Sequence, residues 1–163
     1  MNAIEQIMSQ LAEAFTELDA KVLAATQVWA KERAAAVKAT REELKAERRA
    51  MGEWAYYGKL FDVAGGKTWF RVFDGNSEQA IAGFVTKNCK AVADKRNATI
   101  ARKLAKEGVT GVITSTFAKS KDGFDGIFTV QTDKGNKTVT VNTIYAGGYN
   151  IQCLHLRVLT KVY

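Results

Sequence analysis

Apolar residues near the start of the chain recur at an unbroken 4-3-4-3 spacing: Ile4, Met8, Leu11, Phe15, Leu18, Val22, Ala25 and Trp29. That spacing is the seam of a heptad helix. After Trp29 the stripe slips by one position and thins to Val37, Leu44 and Met51. Ala, Glu, Lys and Arg fill the positions between, and all are good helix formers. Residues 2–52 are therefore predicted to form one long helix or a kinked helix pair. A charged helix with a narrow seam needs a partner, either its own second half or another subunit. The seam lies far in sequence from the other apolar segments, which favours another subunit. Leu11 and Leu18 are then expected to hold subunits together.

The next pattern is aromatic. Residues 59–64 and 67–73 flank Gly65-Gly66, a pair that tolerates positive φ, and together they predict a hairpin. Asp74-Gly75-Asn76 closes it, and Asn76 or Ser77 can cap a helix. Residues 77–107 carry Ile81, Phe84, Val85, Val92, Ile100 and Leu104 on one face and many lysines and arginines elsewhere, so a second, basic helix is expected. Gly108 is its natural stop.

From there the period becomes two. Residues 109–117 read as a strand, 119–126 as a Gly/Asp/Lys loop, and 127–132 and 137–145 as strands flanking the turn Asp133-Lys134-Gly135-Asn136. After Ala146-Gly147-Gly148 a last strand, 151–163, begins. Four strands here and two earlier give an α+β class, with an antiparallel sheet of about five to six strands. The expected division is a helical oligomerisation region, 1–52, and an α+β ligand-binding domain, 53–163.

Alternation in the last strand puts Leu154, Leu156, Val158 and Val162 on one face, and Cys153, His155, Arg157, Leu159 and Lys161 on the other. The second set is either the solvated outer face of a sheet or a rigid cationic row that grips an anion.

The formal net charge is +7. Residues 1–52 hold eight Lys/Arg and eight Asp/Glu, so the whole excess lies in 53–163. A basic body after a neutral helix points to phosphates or polyanions as partners. Two cysteines, Cys89 and Cys153, cannot build a disulfide framework. With no signal-peptide pattern they imply a cytoplasmic setting. No stretch is long and apolar enough to span a membrane.

Motifs for chemistry are scarce. Ala64-Gly65-Gly66-Lys67-Thr68 resembles half of a phosphate-binding loop, but Phe61 stands where the first glycine belongs and aromatic residues follow. Acidic residues do not gather at metal or acid/base spacing, and Asp122 and Asp125 look like turn chemistry. His155 and Cys153 would stand side by side on a strand, not in attack geometry. No catalytic residue, metal ligand or cofactor is assigned. A basic face interleaved with aromatics can hold phosphates and stack bases. For Phe128, Trp69 and Phe70 taken singly, ordinary core is the favoured reading. Asn142, in a β-branched strand, has a donor-plus-acceptor edge that suits a base or ribose.

From Arg102 in IARKL onward, through Phe128 in IFTV, Asn142 in VNTI and Arg157 in HLRVL, the chain resembles the viral Thoeris anti-defence proteins. These are phage sponges that sequester cyclic ADP-ribose signals without cleaving them. The resemblance implies N-terminal helices joined to an antiparallel sheet, a homo-oligomer, and action in the host bacterial cytoplasm. It also implies a pocket in which Arg102 and Arg157 hold phosphates, Phe128 stacks on the base and Asn142 reads an edge. His155 joins these through the cationic row. Lys103 and Lys106 compete with Arg102 for its role. The alternative is a small basic phage protein that binds nucleic acid along the helix from Lys87 to Lys106.

Overall fold

The computed structural model describes residues 2–147 and 156–163. The element order is α1 (Ala3–Leu44), α2 (Arg48–Met51), α3 (Glu53–Ala64), α4 (Lys67–Phe73), α5 (Glu78–Lys106), β1 (Val109–Ser120), β2 (Gly123–Thr132), β3 (Gly135–Gly147) and β4 (Leu156–Val162). The class is α+β, with a long N-terminal helix and a four-stranded antiparallel sheet in the order β1-β2-β3-β4.

The helix starts and stops follow local chemistry. Asn2 and Glu5 form a capping box: the Asn2 side-chain oxygen accepts from the Glu5 N–H at 2.8 Å, and the Glu5 carboxylate accepts from the Asn2 N–H at 3.0 Å. Ser77 caps α5 by accepting from the Ala80 N–H at 3.1 Å. Gly108 leaves the helix at φ +72°.

The aromatic hairpin is not a hairpin. Residues 59–64 and 67–73 are helical, in α3 and α4, so the described residues hold four strands and not five or six. Short apolar runs do not distinguish strand from helix by composition. Here the spacing of Tyr56, Leu60 and Ala64, and of Trp69, Phe70 and Phe73, builds buried helical faces. Gly65, at φ +87°, serves as the left-handed cap of α3 in place of a strand turn. The expected loop 119–126 also shrinks: β1 and β2 run to Ser120 and Gly123 and leave only Lys121 and Asp122 as the turn.

Two compact units partition the chain. One comprises residues 1–22, 89–147 and 156–163; the other comprises 23–88 among the described residues. The helices α1 and α5 each contribute to both, so the units do not divide at residue 52.

In the first unit, Ile7, Leu11, Phe15 and Leu18 of α1, with Ile100 and Leu104 of α5, cover one face of the sheet. They meet Phe124, Phe128, Val130, Val139 and Val141 there. The seam from Ile4 to Leu18 is therefore packed against the chain's own sheet, with Leu11 fully enclosed. A sheet face of this apolar content must be covered, and the seam is what covers it. Phe15 meets Phe124 edge-on at 5.1 Å. Arg96 lies over the Phe15 ring at 3.6 Å and forks onto both oxygens of Asp19 at 2.6 and 3.0 Å. The buried Thr143 hydroxyl is satisfied by the Phe124 backbone, accepting at 3.1 Å and donating at 3.0 Å.

Gly123 sits where β2 passes close to the Thr143 backbone of β3. A Cβ there would lie 2.0 Å from the Thr143 carbonyl oxygen. Gly123→Ala must push the strands apart, so it is expected to destabilise the protein by about 1–3 kcal/mol or more. Urea denaturation checks this, and an unchanged midpoint would refute the close approach.

The second unit is helical. Trp29 of α1 meets Trp69 edge-on at 4.8 Å, and Trp69 stacks with Phe73 at 5.7 Å. Arg33 donates to the Val63 carbonyl at 3.1 Å and ties α1 to α3.

Candidate functional site

The last turns of α5 bring cations to one strip of surface. Lys95, Thr99, Arg102 and Lys106 recur at spacings of four, three and four, which keeps them on one helix face; Lys103 stands one turn beyond Thr99. Beside this strip, α5 and β4 enclose a cleft of about 250 Å³. Ile100, Val92 and Val162 supply apolar walls, and Lys95, Arg96, Thr99 and Lys103 supply the polar groups.

What matters for an anion is which of these charges are already neutralised. Lys90 pairs with Asp94 one turn along at 2.8 Å, and Arg96 is held by Asp19. Lys137 pairs with Glu107, and that lysine's hydrogen bond and charge hold the Glu107 carboxyl below its ordinary range. Among the described residues no carboxylate pairs with Lys95, Arg102, Lys103 or Lys106. The Thr99 hydroxyl donates to the Lys95 carbonyl at 2.9 Å, so toward the cleft it has only lone pairs to offer. Lys95 and Lys103 in the wall of a small apolar-floored cleft, with Arg102 on the adjoining strip, are suited to a phosphate group with its hydrocarbon or sugar side against the wall; Lys106 already shares the field of the Glu107 carboxylate.

The sequence-derived residues fall in different layers. Arg102 is exposed on α5. Phe128 is fully buried in the core, with the Phe117 ring edge-on at 5.7 Å. Asn142 lies on the opposite sheet face from the helices, where its amide donates to the Asp125 carboxylate. The backbone of Arg157, in β4, pairs with that of Ala146 in β3; its side chain, and the whole of Cys153 and His155, lie outside the described residues. Arg102, Phe128 and Asn142 are thus not brought together within one chain. Strand alternation separates Phe128 from Asn142, because register pairs them with Val139 and Asp125, on opposite faces. Lys95 belongs to the cleft as one of the basic residues of the helix from Lys87 to Lys106; Thr99 joins it there without a sequence signal beyond its four-residue spacing from Lys95.

A larger open groove, about 780 Å³, lies in the helical unit between α1 and the start of α5. Two of its cations are occupied, Lys31 by Glu78 at 3.1 Å and Arg41 by Asp74. Its floor of Ala30, Ala34, Ala35 and Ala82 is apolar, so it has less to offer an anion.

Among the described residues no three His, Cys, Asp or Glu side chains gather as metal ligands, and no helix is long and apolar enough to cross a membrane. Comparison of the chain with protein-family models, with curated proteins and with solved structures finds no match.

Proposed function

We propose that the protein binds and sequesters a compact phosphate-bearing signal, a cyclic nucleotide of the cyclic ADP-ribose type, and does not cleave it. In that role it acts as a phage anti-defence sponge in the host bacterial cytoplasm, as the resemblance implies. The observation that carries the binding reading is the pair Lys95 and Lys103 in the wall of the cleft between α5 and β4, neither in an ion pair among the described residues, with Arg102 on the adjoining helix strip. The cleft is large enough for a phosphate and part of a ribose, so the base would extend beyond it. Charge concentrated in the last turns of α5, with Lys90 and Arg96 already paired, favours a small anion over a duplex lying along the whole helix.

The test is calorimetry with a cyclic ADP-ribose isomer on the wild type, Lys103→Ala and Arg102→Ala. Each charge-assisted hydrogen bond contributes about 1.5–3 kcal/mol, so each variant should bind at least tenfold more weakly. Folded variants that bind as tightly as the wild type would refute this site. Ligand released by heat should be intact; cleaved ligand would refute sequestration. Titration with a DNA duplex at two salt concentrations separates the alternative. A duplex held by several phosphate contacts loses roughly 10³–10⁵ in affinity between about 50 and 200 mM salt, whereas a ligand with two phosphates loses little.

A further inference from the structure

β1 and β3 carry their lysines on the unexpected side. An antiparallel sheet covered on one face by helices ordinarily places apolar residues inward and charged residues outward. Here the register puts Lys119 opposite Phe124 and Lys137 opposite Val130, on the helix side of the sheet. The open face of β1, β2 and β3 instead carries Thr114, Thr116, Thr129, Thr138 and Thr140, with Ile127 and Ile144 among them. Ile144 is 51% exposed. Of the outward positions on those three strands, only Asp125 is ionisable. In a chain that is one-quarter charged, the β1–β3 part of this face is depleted of charge, as the centre of a protein interface is, while β4 at its edge adds Lys161 and, by register, Arg157.

We propose that this open face docks a second copy of the chain, sheet against sheet. Three observations select a copy of itself over another partner. First, the molecule carries a net charge of +7, so two copies repel unless cations are kept apart; no outward position of β1, β2 or β3 is Lys or Arg, and the register confines the cations of this face to Arg157 and Lys161 of the edge strand β4. Second, the face is self-complementary. One row across the sheet runs Ala118, Asp125, Asn142, Lys161. Asp125 and Lys161 therefore flank β3 on either side, one strand away each, about 10 Å apart at ordinary strand spacing. A two-fold axis running along β3 at Asn142 sets Asp125 against Lys161 of the partner subunit, and the reverse pair follows by symmetry. Third, the area is adequate. Strands of 12, 10, 13 and 7 residues at ordinary rise and spacing make a face of roughly 650 Å². A standard interface takes about 800 Å² per partner, so a reversible dimer is expected. Threonine and isoleucine rows then interdigitate as in a β-sandwich.

Sedimentation velocity over a wide concentration range tests this on the full chain. The wild type should show a reversible monomer–dimer equilibrium. Asp125→Lys and Lys161→Asp should each weaken the dimer at least tenfold by setting like charges together. The double swap D125K/K161D should restore it, a rescue that a merely structural role for Asp125 would not produce. Asp125 accepts from Asn142, so its replacement also risks the fold. Lys161→Asp and Thr138→Arg, both at exposed positions, test the same face independently of that hydrogen bond, and circular dichroism confirms that each is folded. A monomeric wild type overturns the proposal. So does a dimer unmoved by Lys161→Asp and Thr138→Arg, while failure of a folded double swap to recover overturns the two-fold arrangement.

Discussion

Phe128→Ala is expected to lower the free energy of unfolding by about 3–5 kcal/mol, the usual cost of deleting a buried aromatic ring. The ring is fully enclosed, faces inward from the central strand β2, and meets Phe117 edge-on. Val130 beside it and Val139 opposite it are equally buried, so the neighbours cannot close the space without moving the backbone. A drop this large takes most of the stability of an ordinary domain. Urea denaturation of wild type and variant is the direct measurement. The result also separates the two roles open to this ring. A stacking aromatic removed from a pocket weakens ligand binding by about 1–3 kcal/mol and leaves folding nearly untouched. A core aromatic does the opposite, and loses binding only through loss of structure. A variant within 1 kcal/mol of wild-type stability, by the scale of ordinary surface substitutions, would return Phe128 to the ligand.

Leu11→Glu should be more damaging still. Leu11 is fully buried between α1 and the sheet, in the cluster that includes Phe124, Phe128 and Val141. A carboxylate there must either stay ionised without a partner or take up a proton, and either costs several kcal/mol. The expected outcome is loss of the cooperative melting transition of the sheet unit, seen as loss of fixed aromatic signals in the near-ultraviolet circular dichroism. An intersubunit seam predicts something else: a smaller species that remains folded. Light scattering beside the dichroism distinguishes the two. A well-folded, smaller species would show that the seam joins subunits and not the chain to its own sheet.

These two residues mark where sequence reading ended. Periodicity alone determined the long helix, the basic helix and the four C-terminal strands, because each extends over enough residues for a 3.6 or 2.0 period to repeat. Local chemistry likewise determined the Ser77 cap and the Gly108 stop, which depend on neighbours within one turn. The aromatic segments around Gly65-Gly66 were too short for a period to declare itself, and packing of Trp69 and Phe73 with Trp29 resolved them as helices. The seam from Ile4 to Leu18 specified that a partner was needed but not which one. An apolar stripe records its own width and not the identity of what covers it, and only the folded chain supplied the sheet. The basic residues of α5 were all visible, yet the sequence could not tell neutralised from free. Asp19 lies 77 residues from Arg96, and that distance closes only in three dimensions. The same holds for Phe128 and Asn142: the family resemblance implied one pocket for both, and strand register alone put them on opposite sides of the sheet.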